Sequence, residues 1–148
     1  IISIDNSCLF SLFINIVCFK FIYEVIFSIF MHNTIKNLLD IDNNIKVYLN
    51  RLNINSSPKI IAVSKTFKID KILPLIEYGH INFGENKVQE ASEKWIDIKK
   101  SNPNIKLHMI GKLQTNKVKY AVEIFDYIHS VDSAKLAKKI ADEQNKIN

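Results

Sequence analysis

The stretch Lys59-Ile60-Ile61-Ala62-Val63-Ser64-Lys65-Thr66 decides the fold. Its β-branched and small apolar residues run without a polar interruption and stop at a lysine. Alternation would mark a strand with one wet face. A continuous run marks a strand buried on both faces, and so a parallel sheet flanked by helices. In such sheets a ligand sits at the carboxyl ends of the strands, which is where Lys65 falls. Apolar neighbours along a lysine stem make its proton easier to lose, and only the neutral amine attacks an aldehyde. Lys65 therefore has two readings: a Schiff-base lysine for a carbonyl ligand, or a strand-ending lysine whose head merely reaches water.

Downstream, the chain alternates. Asp70 is placed to cap a helix with Pro74 in its first turn, Leu73 and Ile76 inward, and Gly79 as the residue that ends it. A short strand, Ile81-Asn82-Phe83, leads into Gly84-Glu85-Asn86. Val88, Ala91, Trp95 and Ile98 then form an apolar stripe at spacings of three and four, which is core packing on a helix. Ser101-Asn102-Pro103-Asn104 is a turn before a third strand, Lys106 to Ile110. A helix from about Asn116 buries Val118, Ala121 and Val122. The fourth strand is Tyr127 to Val131, and Asp132 or Ser133 caps a last helix with Leu136 and Ile140 inward. Upstream, Ile35, Leu38, Leu39, Ile45, Leu49 and Leu52 recur near helical spacing from Asn33 to Leu52. That helix is expected to loosen around Asp40 to Asn44 and to break at Asn55-Ser56-Ser57-Pro58.

After the first helix the order is thus βαβαβαβα, which means a parallel sheet with right-handed crossovers. Four such units make either an open doubly wound sheet or half of an eight-stranded barrel, a fold of about 250 residues. At 148 residues the chain holds at most one ordinary domain, and 47% apolar residues suffice for a core. The net charge of +5 is spread among acids rather than gathered into a stripe, which disfavours a nucleic-acid surface. Cys8 and Cys18 lack metal-ligand spacing and imply no disulfide framework, so a reducing, cytoplasmic compartment is the expectation. With three glycines there is no Gly-rich phosphate loop.

The first thirty residues stand apart. From Leu9 to Phe30 they are almost wholly apolar, broken by Lys20 and Glu24. The length suits a membrane span, but two charges near its middle are costly there. The bias toward Phe, Ile, Ser, Asn and Lys also suits translated AT-rich sequence upstream of a gene, with Met31 as the start. The broken apolar run favours that reading over a membrane anchor. Residues 31–148 are then the folded part.

Four segments carry a resemblance. They are Ala62-Val63-Ser64-Lys65-Thr66, Phe83-Gly84-Glu85-Asn86-Lys87-Val88-Gln89-Glu90, His108-Met109-Ile110-Gly111-Lys112-Leu113-Gln114-Thr115-Asn116-Lys117 and Ile128-His129-Ser130-Val131-Asp132. In order and spacing they resemble the pyridoxal phosphate homeostasis protein family, over roughly Ile35 to Ile147. The resemblance implies a (β/α) TIM barrel like the N-terminal domain of alanine racemase, the fold-type III class, here truncated after about four β/α units. It implies pyridoxal 5'-phosphate as cofactor, with Lys65 matching the lysine of the internal aldimine. It implies a protein of intracellular cofactor homeostasis rather than an enzyme, with pyridoxal-phosphate-dependent apo-enzymes as partners to be supplied. Phe67 stands where many members carry a second basic residue, and Leu107 where an aromatic is common. Lys112 and Thr115 stand where His and Ser are frequent. The family's second half, with further strands and the main phosphate-binding loops, has no counterpart in this sequence.

Other cofactor-site candidates lie at or near the strand ends. Asn86 either bonds to Lys65 or the cofactor ring, or caps the helix that follows. His108 either lines the barrel floor beneath the cofactor or is a satisfied core histidine. Gly111 permits a tight turn or a close backbone approach. Ser130 and His129 end the fourth strand, as lining or as packing, and Gln114 and Asn116 face the site or, for Asn116 especially, cap a helix. No metal site is read. The alternative function is a fold-type III enzyme of the racemase or decarboxylase kind. It would need an acid or base on each face of the ring, and no second base is evident near Lys65.

Overall fold

The computed structural model describes residues 32–147. The first thirty residues, with the two cysteines and the membrane and upstream-translation readings, lie outside the described residues. The chain divides into two compact units after Asp40, inside the first helix, and the sheet and its helices lie in the second.

Helix α1 is Asn33–Arg51, unbroken through the segment expected to loosen. It stops at Asn53, which takes a left-handed φ of 52°. Ile54 N–H donates to Leu49 O and Asn53 N–H to Asn50 O, the paired bonds of a Schellman stop. The stop therefore comes before the Asn-Ser-Ser-Pro segment, because an asparagine tolerates this conformation.

Strand β1 is Ala62–Val63, α2 is Ile69–Glu77, β2 is Asn82–Glu85 and α3 is Val88–Ser101. Strand β3 is Lys106–Met109, followed by a 3₁₀ turn at Thr115–Lys117, α4 at Val118–Ile124, β4 at Tyr127–Ile128 and α5 at Ala134–Gln144. The four strands are parallel and lie in chain order, β1-β2-β3-β4. A doubly wound sheet reverses its strand order at a switch point, and a barrel segment does not. The sheet is thus the barrel type, the choice that periodicity left open.

One face of the sheet holds the core. Phe83, Leu107 and Met109 are buried there with Trp95, Val88 and Ala91 of α3, Val118 and Ala121 of α4 and Leu136 of α5. Phe83 and Trp95 pack ring to ring at 4.8 Å. Ile98, Val122 and Ile140 pack against this cluster, so the expected stripes hold. On the opposite face Val63 and Tyr127 are 48% and 47% exposed. That corrects the reading of β1 as buried on both faces. Among the described residues it pairs only with β2, and none of them forms a layer over its other side. The continuous apolar run therefore reports a strand made to be covered, not one that these residues cover.

Three further expectations are corrected in α2. Lys68 occupies the cap position without a side-chain bond, and Asp70 lies inside the first turn. Pro74 sits in the helix interior, at the cost of one ladder bond. Ile72 is the buried position, while Leu73 is 40% exposed. Gly79 ends the helix as expected, at φ 97°, with Gly79 N–H donating to Ile76 O and His80 N–H to Leu75 O. Ser133 caps α5 by accepting from Leu136 N–H. Strands β3 and β4 are shorter than the apolar runs that suggested them, and β2 runs on through Gly84 and Glu85.

Among the described residues the sheet has two open edges, with Val63 and Tyr127 exposed on the face away from the helices, an arrangement that invites pairing with other chains. Residues 31–148 produced alone are expected to aggregate or melt without cooperativity, and to hold cofactor poorly. Sedimentation velocity and a thermal melt check this, and a monomer with one sharp transition and micromolar cofactor affinity contradicts it.

Candidate functional site

The carboxyl ends of the four strands form a rim. After β1, Ser64 to Phe67 make a tight turn closed by Phe67 N–H donating to Ser64 O at 3.2 Å. Lys65 and Thr66 are its central residues. Thr66 has φ 68°, in a region that a β-branched residue rarely occupies. Such a conformation costs about 1–3 kcal/mol and persists only where its surroundings impose it.

The surroundings here are polar and buried. Ser64 is 3% exposed and Glu85 is fully buried. Glu85 Oε1 accepts from Ser64 Oγ at 2.8 Å, Lys94 Nζ at 2.9 Å and Trp95 Nε1 at 3.0 Å. Lys94 Nζ also donates to Ser64 O at 2.9 Å, and Ser64 N–H donates to Gly84 O. Glu85 Oε2 is buried with no partner. Sequence reading passed over Glu85, taking it for a loop residue. Two signals pointed to it: it shares Phe83's face at strand period two, and a buried indole N–H on α3 needs an acceptor.

Lys65 itself is exposed. The apolar sleeve expected around its stem is not formed by the described residues, since Val63 is 48% and Phe67 55% exposed. The missing cover is the same as for β1.

Asn86 follows β2. It does not cap α3, whose cap position is Lys87 with no side-chain bond. Its Oδ1 is buried and unpartnered. Asn86 also lines a cleft of about 350 Å³ with Lys87, Gln89, Lys112, Leu113 and Gln114. Gly111 lies against it: a β-carbon at Gly111 would stand 2.3 Å from Asn86 O. The close backbone approach expected of this glycine is therefore present. Ser130 Oγ donates to Gly111 O, so the rim runs Asn86, Gly111, Ser130 across the ends of β2, β3 and β4. Asn116 lies exposed in the 3₁₀ turn, and α4 starts two residues later, at Val118. Its expected capping role is not seen.

His108 is 5% exposed and points to the face away from the helices, as its stacking on Tyr127 at 4.6 Å shows. Its Nδ1 lies 2.9 Å from His129 Nε2 and its Nε2 lies 3.1 Å from Asn82 Oδ1. Buried, with both ring nitrogens partnered, His108 has the surroundings of a satisfied core histidine, on the sheet face away from the helices. Burial first, then the neighbouring His129, hold its pKa below the ordinary value; Asp126 opposes this and Lys59 adds to it. Burial lowers that of His80 as well, against the hydrogen bond with Asn82 O.

Among the described residues no group of three or more His, Cys, Asp or Glu is arranged to hold a metal, and no helix is long and apolar enough to cross a membrane.

Fold and rim together define a parallel α/β barrel segment with a lysine turn at the carboxyl ends of its strands. No family model matches the chain. It is similar to curated proteins named pyridoxal phosphate homeostasis protein. That of Vibrio cholerae is 39% identical over 91 residues, 60% of this chain and 39% of the relative. That of Buchnera aphidicola is 43% identical over 108 residues, 72% and 47%. That of Bos taurus is 42% identical over 87 residues, 56% and 32%. Among solved structures, PipY of Synechococcus elongatus with pyridoxal phosphate bound superposes with a TM-score of 0.57 at 39% identity, over 67% of this chain and 47% of that one. A protein from Bifidobacterium adolescentis gives 0.65 at 28% identity, over 72% and 47%. The resemblance to the pyridoxal phosphate homeostasis family is borne out over part of the chain. The chain spans about a third to a half of the length of the curated relatives it matches.

Two outcomes test this geometry. Gly111→Ala forces the β2 and β3 ends apart and is expected to destabilise the intact protein by about 1–3 kcal/mol, read by urea denaturation. The lowered pKa values of His108 and His80 mean that the folded state binds fewer protons than the unfolded chain. Their stability contribution is complete above the ordinary histidine value, about pH 6.5, and is lost as pH falls toward the folded values. His108→Gln is expected to flatten the fall of melting temperature below about pH 6.5 without abolishing it, because His80 remains.

Proposed function

We propose that the intact protein binds pyridoxal 5'-phosphate, held as a Schiff base on Lys65, and serves intracellular homeostasis of that cofactor. The carrying observation is the position of Lys65: central in a strained turn at the carboxyl rim of a parallel sheet similar to that of PipY with pyridoxal phosphate bound. The neutral amine at Nζ forms a bond to the aldehyde carbon, and the carbonyl oxygen leaves as water. The rim fits such a ligand in one further respect. Asn86 Oδ1 is a buried acceptor without a partner, which a donor on the ligand would satisfy. Gly111 and Ser130 fix the rim beside it, and His108 lies on the inner face as a partnered ring.

The names of the relatives support a carrier rather than an enzyme, since they specify homeostasis of the cofactor. Apo-enzymes that depend on pyridoxal phosphate are the natural recipients, and the cytoplasm is the compartment in which they would be met. A racemase or decarboxylase would place a second acid or base opposite Lys65. Both nitrogens of His108 are already partnered, which does not favour it for that role.

Incubation of the intact protein with pyridoxal phosphate, borohydride reduction and digestion are expected to place the label on the peptide containing Lys65. Lys65→Ala is expected to lose it. Label elsewhere, or amino-acid racemisation well above that of free cofactor, refutes the proposal.

A further inference from the structure

We propose that Glu85 is a positioning residue for Lys65, acting through Ser64 and Lys94 without touching the ligand. The inference rests on the reading of Lys65 as the cofactor lysine and adds what holds it. Every polar group of Ser64 is engaged. Its N–H donates to Gly84 O, and its hydroxyl donates to Glu85 Oε1 at 2.8 Å. Its carbonyl accepts both Lys94 Nζ at 2.9 Å and the Phe67 N–H that closes the turn. Two of these bonds come from the pair of buried Glu85 and half-buried Lys94, which are 2.9 Å apart. The next residue is Lys65, and the one after is Thr66 at φ 68°.

A strained turn relaxes unless something opposes relaxation. The ladder shown cannot do so alone, because β1 has two residues and, among the described residues, one neighbour. The carboxylate can, because its burial makes loss of any partner costly. Trp95 fixes it from α3, so the root of Lys65 is referred to the helix layer. The physical content is a division of labour. Glu85 determines where the lysine stem begins, and the exposed stem then reaches the aldehyde.

The test uses the intact protein with Ser64→Ala, Ser64→Thr and Glu85→Gln. Pyridoxal phosphate is titrated and the Schiff base is followed by absorbance, then fixed with borohydride at Lys65. In parallel, the rate at which acetic anhydride modifies Lys65 is measured by peptide mass, which reads the amine without requiring a seated ligand. Ser64→Ala and Glu85→Gln are expected to weaken Schiff-base formation about tenfold or more, as misplacement of a reacting group does, with the acetylation rate within twofold of wild type. Ser64→Thr, which keeps the hydroxyl, is expected to restore most of the affinity. Ser64→Ala leaves Glu85 two donors and decides the matter alone should Glu85→Gln fail to fold. Equal affinity in wild type and Ser64→Ala overturns the positioning role while leaving Lys65 as the cofactor lysine. Absence of label at Lys65 in the wild type overturns that reading and the inference with it.

Discussion

A carboxylate with no access to water governs the carboxyl end of this sheet. Burying an anion costs several kcal/mol, and the cost is offset only where donors surround it. Glu85 meets that condition on one oxygen, which collects Ser64, Lys94 and Trp95, while Oε2 has no partner. The donors come from the end of β1 and from α3, so neither element can drift without stranding the charge. A two-residue strand has little ladder to hold it. Here the side-chain network does what backbone pairing would do in a longer strand, and it does so at the residue before Lys65.

The amino ends of the strands are braced in the same manner. Asp126 Oδ2 accepts from Leu107 N–H and Lys99 Nζ, and its Oδ1 from Lys106 Nζ. Burial alone would raise this carboxyl, but the lysine and backbone donors outweigh it and hold it below the ordinary value. Each end of the short sheet is thus closed by an acid that joins strands to a helix. Between them, packing does the rest: Gly111 admits the Asn86 backbone, and Gly84 leaves only enough room for Ile61 and Ile110.

What was legible in the sequence, and what was not, follows from which forces leave a periodic trace. Helix burial does. Val88, Ala91 and Trp95, then Val118 and Ala121, then Leu136, were readable because one face of a helix repeats every three or four residues. Gly79 and Ser133 were readable because helix ends have few chemical solutions. Strand burial was misleading at β1, where the apolar run specifies that both faces be covered but not which residues cover them. Glu85 was hidden for another reason. A carboxylate ordinarily reads as solvent-facing, and its direction follows only once β2 is known to extend through it. Asn86 was weighed as a cap or a ligand contact, and its unpartnered oxygen speaks against the cap. Lys65 was legible as a position at a strand end, but the turn that carries it was not, since nothing in Ser-Lys-Thr announces a threonine at positive φ.

In the role proposed for Lys65, a lysine that captures and later releases a ligand has two conflicting needs. Its backbone must be fixed, or the entropy of ordering it is charged against binding. Its ammonium must stay free, since a salt bridge at the head would compete with the ligand. Burying the whole side chain would satisfy the first need at the expense of the second. This rim separates them by one residue. Ser64 is buried and bonded through every polar group, whereas Lys65 is exposed. The anion that imposes the order lies on the helix side of the sheet, and its partnered oxygen is already shared by three donors, none of them Lys65. On the proposed reading, rigidity is delivered through the chain rather than through space, and the head of Lys65 is left without a counter-charge from Glu85.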